Sequence, residues 1–258
     1  MKYVIINGDD YGYTDEKNEG ILKAHSNGIL TSTTVMVNMV TENWAKEILK
    51  HRKSLGIGLH LNITSGEPVS QPNDVPTLVN KRQDMFRPEV WNKSRWNNFG
   101  NQKNVVEVEM EYRNQLKRFN KLFNMKPSHL DSHHFMTSHE RIFPILIKLA
   151  KENGLPIRLP GWIVGENHYE LVLSMVNQSK VKCKTSDYAV YEFFYSRSKP
   201  LETFINALKT IKDGITEFMF HPSISGYGKI DLGLLTHKDV KRIVSDDGIK
   251  LIDYRNLA

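Results

Sequence analysis

The residues of this chain best suited to hold a cation or move a proton are few. They are the adjacent carboxylates Asp9 and Asp10, His60, and the run Ser128-His129-Leu130-Asp131-Ser132-His133-His134. Asp9 and Asp10 follow directly on the apolar run at 3–6, where two carboxylates are costly to bury unless they bind something or reach water. The alternative is that one of them caps the next helix, a task Thr14 or Asp15 can also perform. His60 lies between Leu59 and Leu61, a setting that suits a hydrogen-bonded core histidine as well as a ligand. The run at 128–134 is denser in imidazole and carboxylate, with Asp131 placed to orient a ligating ring. If this run is a strand, His129, Asp131 and His133 share one face, and Leu130, Ser132 and His134 the other. His221 ends another apolar run, at 215–220, and Arg158 lies within 155–159.

The elements that must position these groups show in the hydrophobic pattern. Apolar β-prone runs at 3–6, 29–37, 57–61, 128–133, 155–159, 188–194, 215–220 and 249–254 alternate with helical periodicity. The clearest helix covers about 104–124, with Val108, Tyr112, Leu116, Phe119 and Phe123 on one stripe, acids early and bases late. A second begins near Ser138 and stops at Gly154; a third has Pro200 in its first turn and Gly214 past its end. Strand–helix alternation repeated seven or eight times predicts a parallel sheet, and at 258 residues a (β/α) barrel in one domain, 1–258. In such a barrel the carboxyl ends of the strands converge on one face, and the acids and histidines above sit at those ends. Two stretches, 63–103 and 160–187, read as long loops that cover or shape a site. Trp91 and Trp96 in the first suggest a wall against a sugar face.

Bulk composition excludes several classes. Apolar residues make up 40 % and charged residues 25 %, and the net charge of +6 is spread without a basic run, so no nucleic-acid partner is expected. Cys183 is the single cysteine, which excludes an intrachain disulfide and a cysteine-rich metal site. The N-terminal apolar run is too short for a signal peptide, and none approaches the roughly 18–20 residues that cross a bilayer. A cytoplasmic location without membrane contact is expected. A homodimer is compatible with the sequence, though no feature specifies one.

Seven fragments in order then identify a resemblance: IINGDDYGYT (5–14), the N-x-G-I pattern at Asn18–Ile21, NGILTSTTVMVN (27–38), GIGLHLNITSGEP (56–68), KPSHLDSHHF (126–135), GLPIRLP (154–160) and MFHPS (219–223). The chain resembles the YdjC-like carbohydrate deacetylases, which include chitooligosaccharide deacetylases. The resemblance implies a distorted (β/α) barrel that removes an N-acetyl group from a sugar with one divalent metal ion. It makes Asp10, His60 and His133 the metal ligands and Mg²⁺ the ion. Two imidazoles and a carboxylate by themselves suit Zn²⁺ or another transition metal better. The chain departs from the family where Phe135 replaces a third histidine, where Gly8 stands before the aspartates, and where Ser223 follows His221-Pro222. These departures bear on substrate identity.

On this reading Asp9 is the candidate general base and His221 the candidate general acid, each worth roughly 10²–10⁴ in rate. Arg158 and Asp131 are candidates for substrate binding, with Arg158 also able to hold a base carboxylate. Two rivals stand beside it. A metal-independent glycoside hydrolase would use Asp9 and Asp131 as its acid and base. A non-enzymatic sugar- or nucleic-acid-binding protein would stack ligands on Tyr191, Phe193, Phe194 and Tyr195, which also read as strand and core residues.

Overall fold

The apolar run at 3–6 forms a strand that continues through both aspartates to Tyr11. In the computed structural model, which describes residues 1–80, 82, 84–87, 102–161 and 169–257, the strands are β1 (Lys2–Tyr11), β2 (Ser32–Val35), β3 (Gly56–Leu61), β4 (Val79–Asn80), β5 (Met85–Phe86), β6 (Leu130–Ser132), β7 (Tyr188–Val190), β8 (Gly214–Phe220) and β9 (Lys250–Leu251). The hairpin β4–β5 stands apart. The others form one parallel sheet in the order β6-β3-β2-β1-β8-β7, with β9 also on β1. Around it lie α1 (Asp15–Asn27), α2 (Glu42–Leu49), α3 (Gln102–Phe123), α4 (Phe143–Asn153), α5 (Tyr169–Lys182), α6 (Pro200–Thr210), α7 (Gly228–Thr236) and α8 (Lys238–Asp246). The sheet curls into a half-barrel, the distorted (β/α) barrel expected from the alternation of strand and helix.

Alternation along the strands divides the side chains. Val4, Ile6, Ile57, Leu59, Leu61, Phe218 and Phe220 join the helices in one apolar cluster. The residues between them, Asn7, Asp9, Gly58, His60 and Glu217, carry the polar interior, with Asn7 donating to Asp9 at 2.8 Å. Polar groups buried there survive only because they partner one another.

Several expected boundaries move. The segment 155–159 is no full strand; Ile157 makes a single parallel bridge to Leu130, and the Arg158 N–H donates to the Leu130 carbonyl at 3.0 Å. Pro156 within this segment and Pro160 just after it lack the N–H a ladder needs. Helix α4 starts at Phe143, not Ser138, because a 3₁₀ segment occupies His133–Ser138. Helix α6 ends at Thr210, and Gly214, with φ +116°, opens β8 instead of capping the helix. The stretch 160–187 contains α5, so much of it is helix, and 63–103 contains a 3₁₀ turn at Pro72–Asp74 and the β4–β5 hairpin. Trp91 and Trp96 lie outside the described residues.

Candidate metal centre

The site begins with a backbone irregularity. The β1–β2 register shifts between Gly8 and Tyr11, and Asp10 takes φ +73°, a left-handed conformation that aspartate tolerates better than most residues. This breaks the two-residue alternation of β1, so consecutive carboxylates both serve the same region. Asp9 turns into the interior, and Asp10 meets residues at the strand ends. Thr14 caps α1, its Oγ1 accepting from the Lys17 N–H at 3.3 Å, which relieves both aspartates of capping.

Asp10 Oδ1 lies 2.8 Å from His133 Nδ1 and 3.3 Å from His60 Nε2. Neither approach has the alignment of a hydrogen bond, and Oδ1 is buried with no hydrogen-bond partner. The other ring nitrogen of His60 is committed: Nδ1 lies 2.7 Å from Asp131 Oδ1 and 3.2 Å from Thr34 Oγ1. A carboxylate that takes the Nδ1 proton leaves the Nε2 lone pair toward Asp10, the usual support of a metal-ligating imidazole. An orphaned carboxylate oxygen facing two imidazole nitrogens fits a divalent cation. Among the described residues, Asp10, His60 and His133 form one group able to hold an ion, and Asp9, His60 and Asp131 form another.

With no cation bound, the surrounding carboxylates hold a proton on His60 that a divalent ion would displace. Burial disfavours the His60 imidazolium, yet the Asp131 charge and the contacts to Asp10 and Asp131 outweigh it and push the ring up to about 10. Burial likewise opposes ionisation of Asp10, but His133, His60 and Lys17 hold it well below the usual carboxylate range. The carboxylates of the pocket are met by the His60 proton, by Lys17 on Asp10 and by Arg158 on Asp9 and Asp131.

Lys17 is a member of the site with no signal in the strand-end pattern. It projects from the first turn of α1, and its Nζ lies 2.8 Å from Asp10 Oδ2, with the side chain 22 % exposed. A helical residue seven positions after an aspartate carries no mark of such a contact.

Behind the ligand group lies a buried charge network. Arg158 grips Asp9 through both terminal nitrogens, Nη1 to Oδ2 and Nη2 to Oδ1 at 2.7 Å each, reaches Asp131 Oδ2 at 2.9 Å, and donates from Nε to Glu217 Oε1 at 2.8 Å. Burial would raise the Asp9 carboxyl, but the guanidinium holds it far below its ordinary value. Tyr254 donates to the remaining oxygen of Glu217. Arg158 and Asp131 are 4 % and 1 % exposed, and these contacts occupy their polar atoms. Both side chains are buried and spent on one another and on Asp9, Glu217 and His60, so Arg158 takes the carboxylate-holding role also open to it from the sequence.

Two further expectations change at the 128–134 run. His129 shares the interior face with Asp131 but joins no ligand group among the described residues; it is fully buried, stacks on Tyr254 at 3.7 Å, and burial pushes it down to about 3. Gly58 makes room for it, since a Cβ there would stand 2.4 Å from the His129 ring. The strand ends at Ser132, so His133 heads the next turn. There His134 and Phe135 take φ of +54° and +53°, which brings the His134 ring within 3.8 Å of His133 instead of facing it away.

His221 follows β8, half-buried, its N–H donating to Asp231 Oδ2 at 2.9 Å. Burial pulls its ring below the ordinary value, against the pull of Asp10 and Asp9. The turn after it is held by α1: a Cβ on Gly20 would lie 2.3 Å from Ser223 Cα, so only glycine allows that approach. His221 opens on a cleft of about 460 Å³ that Lys17 also lines.

The family model described as YdjC-like protein matches residues 3–246. A carbohydrate deacetylase of Brevibacillus brevis is 33 % identical over 273 residues, covering 99 % of each chain. A chitooligosaccharide deacetylase of Proteus mirabilis is 30 % identical over 264 residues, 98 % of each. Among solved structures, an Enterococcus faecalis protein described in connection with cellobiose-phosphate cleavage superposes with a TM-score of 0.84 at 26 % identity, covering 100 % of this chain and 99 % of that one. With that match running from β1 to α8, the chain belongs to the YdjC-like protein family.

Proposed function

We propose that the chain is a metal-dependent carbohydrate deacetylase that hydrolyses the N-acetyl group of an acetylated sugar. The observation that carries this reading is the buried Asp10 Oδ1, without a hydrogen bond, facing His60 Nε2 and His133 Nδ1. Its full-length relatives named as carbohydrate and chitooligosaccharide deacetylases support the substrate class. A divalent ion on Asp10, His60 and His133 would supply the Lewis acidity that an amide carbonyl and a neutral water both need. The nitrogen donors favour Zn²⁺ or a similar ion over Mg²⁺.

The chain's own residues divide the remaining work. Asp9 takes the proton of the attacking water. Arg158 keeps that carboxylate ionised and fixed, so Arg158 and Asp131 are positioning residues: one orients the base, the other the His60 ring. His221, at the mouth of the cleft, delivers a proton to the amine nitrogen as the C–N bond breaks, and the products are acetate and a free amino sugar.

The glycoside-hydrolase alternative loses support from the same contacts, because Asp9 and Asp131 bind the same Arg158 Nη1 and cannot flank a glycosidic bond. Among the described residues no helix is long and apolar enough to cross a membrane. The test is metal analysis of the purified protein together with an acetate-release screen over N-acetylated mono- and disaccharides. His133→Ala is expected to lose both metal and activity; a variant that retains stoichiometric metal overturns the ligand assignment.

A further inference from the structure

The end of the sheet away from the candidate metal centre carries a second cavity. Asp187 stands just before β7 and joins the start of β8, its N–H donating to the Ile215 carbonyl at 2.9 Å and its Oδ2 accepting from the Ile215 N–H at 2.8 Å. Asp9, Asp10 and His221 lie at the carboxyl ends of β1 and β8, the opposite side of the sheet. With Asp187, a cavity of about 250 Å³ is lined by Lys180, Lys184, Cys183, Thr185 and Ser186. Two features of it call for an occupant. Ser186 is fully buried and its Oγ meets no hydrogen-bond partner; Thr185, half-buried, likewise has a buried Oγ1 without one. A buried hydroxyl left without a partner is costly, and each case in a native fold calls for a water, an ion or a ligand.

The second feature is charge. Beside the two lining lysines, Lys212 shares the Tyr188 ring with Lys180, their Nζ atoms 5.8 and 5.7 Å from its centre. Burial pushes the Cys183 thiol up, while the charges of Lys151 and Lys182 pull it back. Lysines from α4, from α5 and the loop after it, and from just past α6 thus gather here. Of the acids at this end, Asp187 is held to Ile215, Asp213 pairs with the N-terminal ammonium at 2.9 Å, and Glu152 pairs with Arg113 at 2.7 Å. Helix C-termini meet at this end of a parallel sheet, and lysines in their last turns answer the dipoles. The dipoles account for several of the lysines, but not for two unpartnered hydroxyls beside them. We propose that this cavity binds a phosphate group between the ammonium groups of Lys180 and Lys184 and the hydroxyls of Thr185 and Ser186. Phosphate oxygens accept from ammonium and hydroxyl alike, and bonds of that kind, with charge on both partners or one, are the strong ones. The lining shares no residue with the cleft at His221, so the phosphate does not displace the sugar.

Cys183 supplies the readout, since it is the single cysteine of the chain and lines the cavity. The rate of its alkylation by iodoacetamide, a neutral reagent, is measured against inorganic phosphate at fixed pH and ionic strength, with chloride as the control. Phosphate slows the reaction saturably and chloride does not. The double variant Lys180→Gln, Lys184→Gln changes exposed side chains only, and in it the half-effect moves to about tenfold or more higher phosphate. Ser186→Ala removes an unpartnered hydroxyl, so it does not endanger the fold, and it weakens the protection by about fivefold. Protection no greater than that of chloride, or equal protection in the double variant, overturns the site. Glycerol phosphate separates the two sources of the ligand: stronger protection than by inorganic phosphate assigns the site to a phosphate ester, and equal or weaker protection assigns it to the free ion. If the thiol does not react in wild type, calorimetric titration with inorganic phosphate replaces it. Binding heat that is lost in the double variant upholds the site; no heat in wild type, or the same heat in both, overturns it.

Discussion

At the scale of single residues, Asp9 and Asp10 are neighbours with different surroundings, and their replacement separates the roles. Asp10→Asn removes a charged ligand from His60 and His133 and is expected to weaken metal affinity. Asp9→Asn leaves the ligand group intact and is expected to keep the metal while lowering kcat by roughly 10²–10⁴. Metal content, melting temperature and kcat on the same preparations decide the matter: a metal-loaded Asp9→Asn protein with near-normal kcat ends the general-base assignment. Lys17 gives a second test at this scale. Its ammonium occupies Asp10 Oδ2 at 2.8 Å, opposing a dication at the other oxygen. Lys17→Met is expected to tighten metal binding by about tenfold, a modest figure because the side chain is partly exposed and screened. Calorimetric metal titration that finds weaker binding would show that Lys17 shapes the site in another way.

At the scale of elements, α1 is the hinge of the arrangement. Its cap frees the aspartates, its first turn presents Lys17, and its Gly20 lies against the turn that carries His221. Gly20→Ala places a methyl against the Ser223 backbone, which cannot move aside as a flexible side chain would. The expected cost is about 1–3 kcal/mol of stability, with a fall in kcat from displacement of His221. A melting temperature within about a degree of wild type would mean that α1 and the turn separate easily. The same element accounts for the spacing Asn18-Glu19-Gly20-Ile21: Asn18 Oδ1 accepts from the Gly12 N–H, Gly20 makes the close approach, and Ile21 enters the core.

At the scale of the whole molecule, the buried network sets the response to acid. His129 takes a proton near pH 6.5 when unfolded and only near 3 in the fold, because burial excludes the imidazolium. Between those values the unfolded chain binds the extra proton, so the contribution of His129 is complete above 6.5 and is lost as pH falls toward 3. Asp231 runs the opposite way: burial raises it from 3.8 to about 6, so its contribution is present below 3.8 and is lost as pH rises through 6. His129→Gln removes the first effect alone. Its melting temperature is expected to fall less between pH 6.5 and pH 4 than that of wild type, by several degrees; parallel curves would refute the assignment. Metal binding acts on the same quantity. At an ion concentration of about 100 Kd the native state gains roughly 2.7 kcal/mol, which raises the melting temperature by about 5–10 °C for a chain of this size. Chelator that leaves the melting temperature unmoved would count against an ion in the fold.

The sequence by itself determined the strand starts at 3–6, 57–61 and 215–220, the α3 stripe, and the placement of acids and histidines at strand ends. These follow from local periodicity and burial, which act over a few residues. Only tertiary structure decided the rest. The left-handed turns at Asp10 and at His134-Phe135 bring successive residues to one side, and no alternation rule anticipates them. The shortness of β6 and the inward turn of Arg158 depend on the curl of the sheet, which joins Asp9 to a guanidinium 149 positions away. Lys17 meets Asp10 because α1 folds back over the end of β1. Such pairings are chosen by the cost of leaving a buried charge without a partner, and that cost exists only once the curled sheet and its helices have packed around it.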